Sequence, residues 1–148
     1  MKRLKISLLL IISSIVIWSL MQVNVYGESF SRSIINQVGE TKTYNGFYMS
    51  GSTYNNNGTV KVSKGFDLST NSDFINNGEL TATGNFPTNP FETFGISGGC
   101  SLKNTGTMRL SGYYNFGIYG TFENTGKLFL SNIENVSCYG LNNTGMIV

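Results

Sequence analysis

Histidine is absent from this 148-residue chain, proline occurs twice, and charged residues make up 12% of it, where an ordinary soluble domain has about 25%. Without histidine there is no Ser-His-Asp triad, the commonest general base is missing, and few routes to a zinc site remain. The carboxylates do not make up the loss. Asp67 and Asp73 are the only aspartates, six residues apart with nothing acidic at matching places in the neighbouring repeats. They read better as solvated loop residues than as an acid and base pair, and Glu79, Glu123 and Glu134 share no phase. A P-loop, a dinucleotide fingerprint and a calcium-binding Gly/Asp nonapeptide are also missing. The chain is therefore expected not to be an enzyme, with no catalytic residue, cofactor or metal.

What the chain does have is asparagine and glycine, 18 of each, beside 40% apolar residues. Both residue types tolerate left-handed backbone angles, so their abundance points to many tight bends joining short strands. The first 27 residues read differently, as a secretory signal: Lys2, Arg3 and Lys5, an apolar run from Ile6 to Met21, then Val25, Tyr26 and Gly27 before Glu28. The alternative is an uncleaved anchor, because the run falls just short of the roughly 20 residues that span a bilayer. Either way the rest of the chain is expected to be secreted or at the cell surface, touching a membrane only through that segment if it is uncleaved. Without the segment, seven basic residues face eight acidic ones, and no basic run remains to follow a phosphate backbone. Nucleic acid is not an expected partner.

A repeat carries the fold. Gly58, Gly78, Gly106, Gly126 and Gly145 are spaced by 20, 28, 20 and 19 residues, and Asn56, Asn76, Asn104, Asn124 and Asn143 each stand two residues before one of them. Tyr54, Phe74, Leu102, Phe122 and Leu141 come two before the asparagines, and Val60, Leu80, Met108, Leu128 and Ile147 two after the glycines. Val62, Ala82, Leu110 and Leu130 follow two further on, so all fourteen such places are apolar. Unrelated hairpins with Asn-Gly turns would not hold a fixed period. Alternation along a strand turns these apolar places to one face and leaves Lys61, Thr81, Arg109 and Phe129 outside.

About 20 residues are too few for a strand and a crossover helix but enough for two or three short strands closed as one coil. The expected fold is all-β: a single-domain parallel β-helix, or solenoid, of about five coils of about 20 residues, behind an N-terminal signal helix. Its expected parts are a signal peptide at 1–27, a cap or degenerate coil at 28–44 hinted by Ile34, Asn36 and Gly39, and repeats over 45–148. The asparagines and glycines mark a corner, where left-handed glycines and an amide column along the stack are expected. A weaker recurrence, Met49 to Gly51, Ile96 to Gly98, Ile118 to Gly120 and Cys138 to Gly140, supplies another wall. Residues 85–92 form an insertion that holds both prolines, and its Phe86 and Phe91 are the candidate contact surface.

With a signal segment in front, the asparagine and glycine repeat resembles autotransporter passenger regions and filamentous haemagglutinin-like adhesins, which are right-handed parallel β-helices on cell surfaces. The resemblance spans about Asn45 to Val148 and lacks both a C-terminal membrane barrel and a recognisable secretion domain. It implies a non-enzymatic, adhesin-like or structural cell-surface segment, with a glycan or a host-matrix protein as ligand. The alternative is a carbohydrate-active, pectin-lyase-like β-helix enzyme or its binding remnant. Tyr113, Tyr114, Phe116 and Tyr119 could stack on sugar rings if exposed, with wall packing the plainer role. Threonines at outward places form no flat ice-binding array. Cys100 and Cys138 lie two coils apart, about 9.6 Å, beyond disulfide reach, and are expected as free, buried thiols. The fifth repeat stops at Val148 before its strand can finish, so residues after Asn142 are expected to be poorly ordered and the C-terminal edge to support self-association.

Overall fold

Short strands of alternating burial, each bounded by Asn, Gly or Ser turns, fix a coil of three walls. The computed structural model describes residues 25–89 and 91–148, so the expected signal segment lies, but for Val25 to Gly27, outside the described residues. The first wall is a six-stranded sheet of β2 (Ile34–Asn36), β4 (Thr53–Asn56), β7 (Asp73–Asn76), β10 (Ser101–Asn104), β12 (Thr121–Asn124) and β14 (Leu141–Asn143). The second begins β3 (Thr41–Ser50), β11 (Thr107–Ile118) and β13 (Lys127–Cys138), with β5 (Thr59–Ser63), β8 (Glu79–Thr83) and β15 (Met146–Ile147) between and above them. The third consists of β6 (Phe66–Ser69), β9 (Thr93–Ile96) and the far ends of the long strands, with β1 (Val25–Phe30) beneath β3. Every pairing is parallel, and no described residue is helical.

This is a parallel β-solenoid of about six turns, one more than the expected five. The added turn is the 28–44 segment, where Ile34, Ile35 and Asn36 pair in register with Tyr54, Asn55 and Asn56. The sequence masks it by two extra corner residues, because Glu40 and not Gly39 stands beneath Gly58; the corner places Gln37 and Glu40 hydrogen-bond to each other instead.

The core is built of columns. Val60, Leu80, Met108 and Leu128 stack with no more than 1% exposure on the second wall. The first wall supplies Tyr54, Phe74, Leu102 and Phe122, all fully buried. On the third wall Phe47, Phe66, Phe94 and Phe116 form a pile with centroid spacings of 4.9, 4.6 and 5.3 Å. Offset stacking of this kind adds about 0.5–1.5 kcal/mol per pair beyond burial. Beside it, Met49, Leu68, Ile96 and Ile118 complete the interior. Between β8 and β9, residues 85–89, 91 and 92 belong to no strand.

Two expectations fail at the top of the stack. Cys138 is exposed while Cys100 is buried, although both are free thiols. Cys138 continues the Ile96 and Ile118 column, and among the described residues no strand pairs with β13 on the other side at that place. The residues after Asn142 are also placed in register: β15 pairs with β13, and Val148 is bonded on both sides of its peptide to Leu128 and Leu130. The downward edge of this strand is satisfied by the coil beneath it; among the described residues its upward edge has no strand partner.

Candidate functional site

At the first corner each asparagine donates its Nδ2 to Oδ1 of the next asparagine along the stack. The distances from Asn36 through Asn56, Asn76, Asn104 and Asn124 to Asn143 are 2.8, 2.7, 2.7, 2.7 and 2.6 Å. The second amide hydrogen of each goes to a backbone carbonyl of the next coil, for Asn36 to Asn124 those of Thr59, Glu79, Thr107, Lys127 and Met146. The column is thus polarised along the axis. Among the described residues its N-terminal end leaves the buried Asn36 Oδ1 without a partner, and at the other end Asn143 turns back to the Gly145 carbonyl.

The glycines beside it were expected to be left-handed, and they are not. Positive angles occur at Gly39, Gly46, Gly51, Gly99 and Gly112 instead. The corner glycines are needed for space: a Cβ on Gly78, Gly106, Gly126 or Gly145 would run into the carbonyl oxygen of the corner glycine one coil earlier. Alanine there would force two backbones apart.

The outer faces differ in character. The first wall presents Ile35, Asn55, Ile75, Lys103, Glu123 and Asn142, including one exposed ion pair, Lys103 to Glu123 at 3.4 Å. The second presents Thr43, Lys61, Thr81, Arg109 and Phe129, with the Arg109 guanidinium 4.2 Å above the Phe129 ring. A wide depression of about 430 Å³ crosses the corner over Thr105, Gly106, Thr125 and Gly126, with no aromatic lining.

The third wall is grooved. Its outward column runs Tyr48, Asp67, Gly95, Gly117, Ser137, so two successive coils have no side chain there. The groove holds about 290 Å³. Neither glycine could be larger without moving a groove residue, because a Cβ on Gly95 would lie 2.9 Å from Asp67 Oδ1 and one on Gly117 3.2 Å from the Tyr119 ring. The Asp67 carboxyl therefore lies over Gly95 and the Tyr119 ring beside Gly117. Tyr119 and Tyr139, both exposed, stack at 5.6 Å and 25° on the turn that closes this wall. Burial raises the Asp67 carboxyl above the usual carboxylate range, against a hydrogen bond from the Leu68 backbone that lowers it. Among the described residues, Asp67 is the only carboxylate or cationic side chain lining the groove.

Of the aromatic residues considered from the sequence, Tyr113 and Phe116 are buried in the core and Tyr119 is exposed at the groove. Tyr113 donates to the Lys64 carbonyl at 2.7 Å, and burial, followed by Glu92 and Tyr48, pushes its phenol upward. Phe86 is half-buried with its ring 5.7 Å from Tyr114, while Phe91 is 87% exposed. Buried Glu92 ties the loop, accepting from Asn85 N at 2.6 Å and from the Asn85 and Asn89 amides. The groove itself was not legible in the sequence, because the turn before it varies in length. No family model, curated protein or solved structure matches the chain.

Proposed function

We propose that the chain is a non-enzymatic, exported β-solenoid that serves as an adhesin-like or structural segment at a cell surface. The observation that supports this reading most is how the polar interior is used. The asparagine column runs the length of the stack and consumes its amides in coil-to-coil bonding, which makes a stiff rod and leaves recognition to the walls. The groove lining offers one carboxylate, Asp67, and among the described residues no second carboxylate to work with it as an acid and base pair. A glycan or a host-matrix protein is the ligand class this reading requires.

The same reading includes self-association through the C-terminal edge with a second copy of the chain. Leu141, Met146, Ile147 and Val148 are exposed there beside an open strand edge, and a surface with the same coil spacing is what another copy offers. The test of the whole proposal is a binding screen of residues 28–148 against glycans and matrix proteins, run beside a polysaccharide depolymerisation assay. Binding without chain cleavage is expected. Depolymerisation would contradict the non-enzymatic reading, and absence of any binding would contradict the adhesive one.

A further inference from the structure

We propose that the groove over Gly95 and Gly117 is a binding site for a neutral saccharide, with the Tyr119 ring as its stacking platform and the Asp67 carboxylate as its hydroxyl acceptor. The inference rests on the reading of the outer walls as contact surfaces and names which wall and which ligand chemistry.

The two missing side chains make the case first. The room left by glycines in adjacent coils is where the Asp67 carboxylate and the Tyr119 ring come in against the wall, so the groove carries an aromatic ring and a carboxylate side by side. A pyranose has matching chemistry, with an apolar C–H face to lie on an aromatic ring and vicinal hydroxyls to donate to a carboxylate. Tyr119 is held for this by its stack on Tyr139, so little side-chain freedom is lost on binding. Thr93, Ser97 and Asn115 line the groove and offer neutral donors and acceptors. The Asp67 carboxyl is partly stripped of water, and sugar hydroxyls would restore the lost hydrogen bonds.

Other ligand classes fit less well. An added peptide strand needs a free backbone edge, but β9 lies between β6 and β11, and β11 between β9 and β13. Uronic acids and nucleotides need a cation, and among the described residues the groove has no lysine or arginine and one carboxylate that repels them. The ligand is thus a neutral hexose or pentose polymer, held on the side of the rod.

The experiment titrates residues 28–148 with cellohexaose, xylohexaose, mannohexaose and maltohexaose, with hexagalacturonate as the charged comparison, by calorimetry and by chemical-shift mapping. At least one neutral hexamer should bind, with shifts centred on Gly95, Gly117 and Tyr119. Tyr119→Ala and Asp67→Ala should each weaken binding by about tenfold or more. Lys61→Ala, on the second wall, should leave it unchanged, and circular dichroism reports whether each variant keeps its fold. Preference for hexagalacturonate, binding unchanged by both groove variants, or no binding of any neutral hexamer would overturn the proposal. Matrix-protein adhesion together with no binding of any neutral hexamer would overturn it while leaving the adhesive reading in place.

Discussion

Phe116 and Val136 occupy the same column one coil apart, yet the first is 2% exposed and the second 60%. Ile118 and Cys138 differ in the same way, and so do Asn124, fully buried, and Asn143, exposed. Each pair holds an equivalent place in the repeat. What differs is whether a further coil lies above. In a solenoid each coil contacts only its neighbours, so a residue's burial is decided by the repeat after it as much as by its own.

That comparison gives a graded set of substitutions. Phe94→Ala removes a ring from the middle of the third-wall pile, and chemical unfolding should show a loss of about 3–5 kcal/mol. Val136→Ala, in the same column, should cost within about 0.5 kcal/mol. Equal losses at the two places would break the comparison.

The corner should show the next largest difference. Asn104→Ala strands a donor on Asn76 and an acceptor on Asn124, at about 1–3 kcal/mol for each group left without a partner. Asn143→Ala strands one donor, on Asn124, at the exposed end of the column where water can take the place of the lost acceptor, and should cost about 1 kcal/mol or less, read from the same denaturant midpoints.

A glycine pair sharpens the claim that the corner needs space. Gly106→Ala should lower stability by about 1–3 kcal/mol, since the added Cβ meets backbone that cannot swing aside. Gly98→Ala has open space and should be neutral within about 0.5 kcal/mol, as thermal melts would show.

The smallest effect is chemical. Cys138 should be alkylated in the folded protein and Cys100 only on unfolding, as peptide mass mapping would read. Burial raises the Cys138 thiol above its usual range, against backbone hydrogen bonds from Leu141 and Gly140 that lower it. The thiolate is therefore scarcer at neutral pH than in a free thiol. Its labelling should therefore accelerate at higher pH than that of a small-molecule thiol.

The stack was legible because the corner between the first two walls has almost constant length. Asn, Gly and the flanking apolar places keep their phase across the 28-residue interval, since the insertion falls after them. The third wall was only partly legible. Phe66 lies eight residues after its corner glycine and Phe116 ten after its own, while the insertion pushes Phe94 to sixteen. That slippage hid the phenylalanine pile, Leu68, and with them the groove at Gly95 and Gly117. The first coil was hidden by the two extra residues around Gly39. The role of the corner glycines was misread because a sequence cannot separate a glycine needed for its backbone angle from one needed for close approach.

Parallel, in-register stacking is tested most directly by cross-linking. In a Cys100→Ser, Cys138→Ser background, where serine matches the buried Ser72 of the preceding coil, Thr81→Cys and Arg109→Cys sit at paired places on adjacent coils. Strand neighbours are about 4.8 Å apart, within disulfide reach. Mild oxidation should join this pair rapidly, while Thr81→Cys with Phe129→Cys, two coils apart, should stay reduced. A bridge in the second pair and none in the first would contradict the coil stack.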